Sequence, residues 1–160
     1  MLGKLARRRV AARSVGVGAL LALTAGAAHA AAPVPFTLTD TVDQTAVRHF
    51  TTTGGALCAS GTFTDDVLVQ AFPHSESARS GGGNVLIRSH YTCTDGSGTF
   101  DALKHIQLTF TETGFTGVGP VQILGGTGRY EGIVGHAIGV GATDFDTGLG
   151  GGTTTGFVQQ

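Results

Sequence analysis

With 160 residues, 27 of them Gly and none Trp, the chain has room for one domain and lacks the composition of a helical protein. Its 10 Lys or Arg and 11 Asp or Glu give a formal net charge of −1, which excludes the basic excess of most nucleic-acid-binding domains. Glycine favours turns and bulges and the many threonines favour strands, so the composition predicts an all-β fold.

The first thirty residues differ from the rest of the chain. They begin with five basic residues, continue with an apolar segment at 15–23, and end in Ala28-His29-Ala30, a small-residue cleavage site. This order predicts a secretory signal peptide that is cleaved after Ala30. A membrane anchor is the alternative, but the apolar segment has about half of the roughly twenty residues that a span requires. The arginine run at 7–9 leaves both Sec and twin-arginine export open.

Residues 31–160 are then predicted to form a single domain. They contain five Lys or Arg against eleven Asp or Glu, so their net charge is −6. Phosphate contacts need clustered positive charge, and an acidic surface is repelled by anionic membranes. We therefore expect a secreted, extracellular protein with no nucleic-acid partner, and with no membrane partner once the leader is removed.

Segments in which apolar and polar residues alternate predict about eight short strands. The predicted strand segments are 36–42, 46–52, 56–64, 67–72, 84–94, 99–111, 121–124, 134–140 and 153–158, and a turn or bulge at 65–66 separates the third from the fourth. The links between them include 73–83, 114–120 and 144–152, and an Asp-Gly hairpin turn at 95–98. Strands of this length and spacing are typical of β-sandwiches and β-barrels.

The most informative stretch is 123–140, which predicts the end of one strand, a glycine turn and a second strand. Its structural turn motif consists of Gly125, Gly126, Gly128, Tyr130, Gly132 and Gly135. In the second strand Val134, His136, Ile138 and Val140 share one face, and only small residues occupy the other. A strand with such a small face bends or lies close to a neighbour, as the wall of a small barrel requires.

Cys58 and Cys93 are the only cysteines of the chain. An even number of cysteines in an exported protein favours a disulfide, and we predict that these two are bridged. A bridge over their separation would stabilise the fold by about 3–4 kcal/mol. A catalytic thiol is the alternative to this bridge.

The turn motif resembles a recurring turn of the allene oxide cyclase and dirigent families. The cyclase version reads G-G-S-G-x-F-E-G-x-x-G and aligns with residues 125–135. Dirigent proteins continue with A-R-G where this chain has Ile133 and Val134, so the cyclase version matches more closely. The resemblance covers roughly 93–141, and the hairpin at 93–100 also looks like small exported bacterial members of the group. It implies an eight-stranded antiparallel β-barrel with an apolar cavity, and it carries over no catalytic residues.

Three polar side chains are candidates for lining such a cavity. Lys104 has the parity of the apolar residues in 99–111, where a cation is costly unless it is paired; the alternative is a bulge or a place at the rim. Tyr91 shares the parity of the apolar residues of its strand, so its hydroxyl is expected to point inward. His136 lies in register with apolar residues and is a candidate general acid or base, the alternative being a core or wall position.

No metal or cofactor is predicted. The histidines form no H-x-H or H-x-x-x-H pair, and Leu149 stands where a calcium loop beginning at Asp144 needs glycine. We expect the cavity to bind a small hydrophobic molecule and to guide its cyclisation or coupling, as an isomerase-like or dirigent-like protein would. The alternative is a non-catalytic exported binding or structural barrel with an interior filled by side chains.

Overall fold

The computed structural model describes residues 32–42, 48–72 and 81–160, and the predicted signal peptide at 1–30 lies outside them. The described residues form eight strands: β1 (Val34–Val42), β2 (Arg48–Thr53), β3 (Ser60–Ala71), β4 (Gly81–Cys93), β5 (Gly98–Phe110), β6 (Gly114–Gly128), β7 (Val134–Asp144) and β8 (Gly150–Gln159). Each strand pairs antiparallel with the next, and β8 pairs with β1. The fold is therefore the expected all-β, eight-stranded antiparallel closed barrel. No helix in the described residues is long and apolar enough to cross a membrane.

Most strands are longer than the sequence predicts, and β3 and β6 each include a segment that was predicted as a separate strand or as a link. β3 joins most of the predicted strands 56–64 and 67–72, because a register shift at Leu68 absorbs the irregularity as a bulge instead of ending the strand. β6 includes 114–120, which was expected to be a link. A Cβ on Gly119 would lie 2.0 Å from a carbonyl oxygen of β5, so this glycine marks the close approach of two strands and not a turn.

The turn motif begins inside a strand. β6 runs on to Gly128, and the chain reverses at 129–133 before β7 begins. The pairing of β6 with β5 shifts register at Leu124, which is a bulge. Gly125 follows with a φ of 99°, and a Cβ on Gly126 would lie 1.8 Å from a carbonyl oxygen of β5. The glycines thus serve a bulge and a close strand contact as well as the predicted turn.

One half of the barrel interior, which we call the filled half, is packed with aromatic rings. Tyr91 stacks on Phe100 with ring centroids 4.7 Å apart, and Phe50 meets these two rings edge-on at 5.1 and 5.7 Å. Tyr130 of the turn motif packs against Phe100 at 5.6 Å. The larger buried residues of the filled half are Phe36, Leu38, Phe50, Leu57, Phe63, Tyr91, Phe100, Tyr130 and Ile133.

The two cysteines belong to the same half. Cys58, in the loop before β3, is bonded to Cys93 at the end of β4, with the two Cα atoms 5.9 Å apart. The predicted disulfide is confirmed. A catalytic thiol is excluded, because neither sulfur is free.

Candidate functional site

The other half of the barrel interior, which we call the hollow half, contains a cavity of about 560 Å³. Its aliphatic wall is formed by inward-facing residues of β4, β5 and β6, namely Val85, Ile87, Ile106, Leu108 and Val121. Cavities of this size and lining are typical of sites for small molecules.

The cavity exists because the opposite wall carries almost no side chains. Inward positions of β6, β7 and β8 are occupied by Gly117, Gly139, Gly141, Gly150 and Gly152. A Cβ on Gly117 would lie 2.7 Å from Cγ2 of Ile106, so the isoleucine side chain lies over the bare backbone of β6. These positions therefore project no side chain into the cavity, in contrast to the inward positions of the filled half.

Phenylalanine rings surround the rim of the cavity. Phe72 after β3, Phe110 at the end of β5 and Phe115 at the start of β6 all line it. Their ring centroids are 5.6 Å apart for Phe72 and Phe110 and 5.9 Å apart for Phe110 and Phe115, and Phe145 continues the row at 6.0 Å. The rim is therefore apolar and aromatic.

The floor of the cavity, where it meets the filled half, is polar. The ammonium of Lys104 on β5 donates to Oδ2 of Asp40 on β1 at 2.7 Å. The hydroxyl of Tyr91 donates to the same carboxylate, at 3.4 Å from Oδ1 and 3.3 Å from Oδ2. The Lys104 and Asp40 side chains are 12% and 13% exposed, so the pair is largely withdrawn from water.

A second ion pair lies beside the first. Arg48 at the start of β2 forms a salt bridge with Asp65 of β3, and the hydroxyl of Ser89 on β4 donates to the same carboxylate. Arg48 and Asp65 both line the cavity. The floor therefore carries two cations and two anions, arranged as two pairs.

The protonation of the floor follows from its burial and its pairing. Burial raises the pKa of Asp40, and Lys104 offsets part of that rise. Burial alone would lower the pKa of Lys104, but the oxygens of Tyr91 and Asp40 outweigh it and raise the pKa above its ordinary value. Burial also raises the pKa of the Tyr91 hydroxyl. At neutral pH Lys104 is accordingly a charged hydrogen-bond donor and Tyr91 a neutral phenol, so Lys104 is not a free amine nucleophile.

Two of the three candidate residues meet in the interior. Lys104 lines the cavity, and Tyr91 is fully buried directly beneath it with its hydroxyl on the shared partner Asp40. The alternative of a bulge at Lys104 does not hold, because the β4–β5 register is continuous through Ile87 and Lys104.

His136 is not in the interior, and the expectation that it lines the cavity is corrected. Its side chain is exposed on the outer surface between β6 and β8, where it pairs in register with Gln122 and Phe157. The small residues of β7 face inward instead. A Cβ on Gly135 would lie 2.7 Å from Cγ1 of Val158, so β7 is too close to β8 for a large inward side chain.

Four polar residues of the floor were not identified from the sequence: Asp40, Arg48, Asp65 and Ser89. The signal for three of them is the one that identified Lys104. Asp40 has the parity of the buried Phe36 and Leu38, and Arg48 and Asp65 share parity with the buried Phe50 and Phe63 in the same way. A charged residue that shares the parity of the buried aromatic residues in its strand is therefore predicted to lie at the floor of the cavity.

The part of the chain that the structure describes contains no group of three His, Cys, Asp or Glu residues that could hold a metal ion. Comparison with known proteins gives no family: no family model, no curated protein and no solved structure matches the chain. The resemblance to the allene oxide cyclases stays a prediction, and the function is argued below from the cavity.

Proposed function

We propose that the protein binds a small hydrophobic molecule in the hollow half of its barrel. The observation that carries this proposal is the cavity of about 560 Å³, with aliphatic and glycine walls and a phenylalanine rim. A structural barrel needs no such space, because an eight-stranded barrel can be filled completely by side chains. Here large side chains fill one half of the interior, whereas the glycines that line the cavity in the other half project no side chain into it.

We propose further that the molecule is met outside the cell. Support comes from the leader at 1–30, which has the basic, apolar and small-residue order of a signal peptide. The disulfide between Cys58 and Cys93 agrees with an oxidising compartment. Detection of protein beginning at Ala31 in the culture medium by N-terminal sequencing would support export, and retention of the leader in the cell would contradict it.

The binding proposal is tested by filling the cavity. The chain has no tryptophan, and Ile106→Trp would place an indole over the glycine wall beside Gly117. Ile138→Trp is the matched control, because Ile138 is 55% exposed on the outer surface. Native mass spectrometry of protein purified from its own medium is expected to show a retained small molecule in the wild type and in Ile138→Trp, but not in Ile106→Trp.

Titration with naphthalene as a defined apolar probe, followed by the fluorescence of the probe, checks the same point. We expect a single site in the wild type and in Ile138→Trp, and an affinity lower by about tenfold or more in Ile106→Trp. Equal binding by both variants would place the ligand outside the cavity and contradict the proposal.

A second function, guidance of a cyclisation or coupling of the bound molecule, is favoured by the charged floor. Lys104 and Asp40 offer a fixed donor and a fixed acceptor at the end of an apolar cavity. A site that restricts a bound molecule to a reactive conformer accelerates its cyclisation or coupling. The test compares the molecules extracted from the wild type and from Lys104→Met, both produced in the same medium, by chromatography and mass spectrometry. An unconverted precursor on the variant supports guidance, whereas the same molecule on both proteins supports binding alone.

A further inference from the structure

The charges that the described residues present to the cavity cancel. Among the described residues, the charged side chains lining it are Asp40, Arg48, Asp65 and Lys104. Lys104 is paired with Asp40 and Arg48 with Asp65, so each cation already has an anion in contact with it. Tyr91, the other titratable group of the floor within residues 32–42, 48–72 and 81–160, is neutral because burial raises its pKa.

The two cations are also held from a second side by aromatic rings. Nζ of Lys104 lies 5.4 Å from the ring centroids of both Phe63 and Tyr91, and the guanidinium carbon of Arg48 lies 5.8 Å from the centroid of Phe63. These contacts favour the present positions of the cations. A ligand that drew either cation into the cavity would have to break both the ion pair and the ring contact.

This arrangement discriminates against charged ligands of either sign. A carboxylate entering the cavity meets Asp40 and Asp65 as well as the two cations, and it loses its own hydration without gaining a free counterion. An ammonium group likewise loses its hydration, is repelled by Lys104 and Arg48, and finds no carboxylate that is free of a cation. An uncharged hydroxyl or carbonyl group escapes this cost, because the oxygen of either group can accept from Lys104, and a hydroxyl can also donate to the carboxylate of Asp40.

We infer that the ligand is an uncharged amphipathic molecule, with an apolar body in the hollow half and one hydroxyl or carbonyl group on the floor formed by Lys104 and Asp40. The inference rests on the proposed function and adds the chemical class of the ligand. Selection against charge would let the protein take neutral molecules from a medium that also contains their acids and amines.

The test uses five probes that share one ring system: naphthalene, 2-naphthol, 2-acetylnaphthalene, 2-naphthoate and 2-naphthylmethylammonium. Each is titrated at neutral pH into the full mature protein, with the fluorescence of the probe as readout. We expect the naphthol and the ketone to bind about tenfold or more tightly than the carboxylate and the ammonium. Tightest binding by either charged probe overturns the inference and leaves the proposed function standing. If naphthalene and all four derivatives fail to bind, the proposed function is contradicted and the inference with it.

Charge variants test the reason for the preference. Asp40→Asn leaves Lys104 without its anion, so 2-naphthoate should gain about tenfold relative to 2-naphthol. Asp65→Asn removes the anion paired with Arg48, and the same gain for 2-naphthoate is expected. This variant replaces Asp40→Asn in the test if Asp40→Asn does not fold. Asp66→Asn is the matched control, because the Asp66 side chain is 65% exposed on the outer surface. An unchanged ratio of affinities in a folded Asp40→Asn or Asp65→Asn protein overturns the charge-balance explanation.

Discussion

The filled half and the hollow half of the barrel are built by the same eight strands but differ in the side chains at their inward positions. In the filled half these positions carry Phe, Tyr and Leu, and the rings pack at 4.7–5.7 Å. In the hollow half one wall is aliphatic and the other is glycine. The two halves show that the number of strands limits the interior volume of a barrel, and that the size of the inward residues decides how much of that volume stays empty.

If the filled half holds the fold together, the largest loss of stability should come from its central ring. Phe100 is fully buried, so Phe100→Ala is expected to lower the free energy of unfolding by about 3–5 kcal/mol. Phe110 is half-buried at the rim of the cavity, and Phe110→Ala should cost about 1 kcal/mol. Urea denaturation followed by circular dichroism measures both. Equal losses would show that the two halves contribute alike.

The disulfide tests the same difference, because it lies in the filled half and neither of its cysteines lines the cavity. Replacement of both Cys58 and Cys93 by Ala is expected to lower the free energy of unfolding by about 3–4 kcal/mol. The affinity of the folded variant for naphthalene should not change. Loss of binding in a variant that is still folded would mean that the two halves are coupled.

The ion pair between the halves should give a smaller and pH-dependent effect. Lys104→Met leaves the buried carboxylate of Asp40 without its cation, at a cost of about 1–3 kcal/mol at neutral pH. Burial already raises the pKa of Asp40, and loss of Lys104 raises it further. The folded state then binds a proton more readily than the unfolded state.

The destabilisation in Lys104→Met should therefore shrink as the pH falls through the raised pKa of Asp40, and grow as the pH rises through it. Denaturation of Lys104→Met at acidic and at neutral pH measures this slope. The double variant with Asp40→Asn is the control and should be flat, since it has no carboxylate to protonate. If the stability of Lys104→Met depended on pH as little as that of the double variant, protonation of Asp40 would not be the cause of the slope.

The smallest effect on stability is expected on the outer surface of the barrel, at His90. His90 lies between Asp101 and Asp66, at 2.8 and 3.1 Å, and the hydrogen bond with Asp101 raises the pKa of His90. The pairing of protonated His90 with the two carboxylates stabilises the folded state fully below the ordinary histidine pKa. This stabilisation is lost as the pH rises through the raised pKa. His90→Gln should remove the slight loss of thermal stability that the wild type shows as the pH rises from below the ordinary histidine pKa through the raised pKa of His90. Since the site is exposed, added salt should weaken the effect in the wild type.

Much of the fold could be predicted from alternation, because each strand has one buried face. The parity of 99–111 predicted the inward side of β5, including the place of Lys104, and the parity around Tyr91 did the same for β4. The same rule applied to Asp40 predicts an inward carboxylate, which would have completed the ion pair. In every strand, a single charged residue that shares the parity of buried aromatic residues indicates an inward-facing charge.

The rule fails for β7, and His136 was misplaced for that reason. Val134, Ile138 and Val140 are exposed on the outside, while the small residues of the strand face inward. Alternation shows which residues share a face, but the spacing of neighbouring strands decides which face is inside. That spacing depends on pairing with β6 and β8, which no local pattern contains. The signal peptide prediction at 1–30 lies outside the described residues and is untouched by this comparison.

The pairing of β1 with β8 has a consequence for how the molecule reaches this state. Val34 is in register with Val158, so the barrel cannot close until almost all of residues 34–158 have been synthesised and are available to pair. Contacts of such long sequence separation form late and slowly. Until then β1 and β7 expose unpaired edges, which invite other chains to add to them. The final strand is therefore a safeguard against self-association, and a chain that stops before Gly150 should accumulate as aggregates rather than as a smaller folded protein.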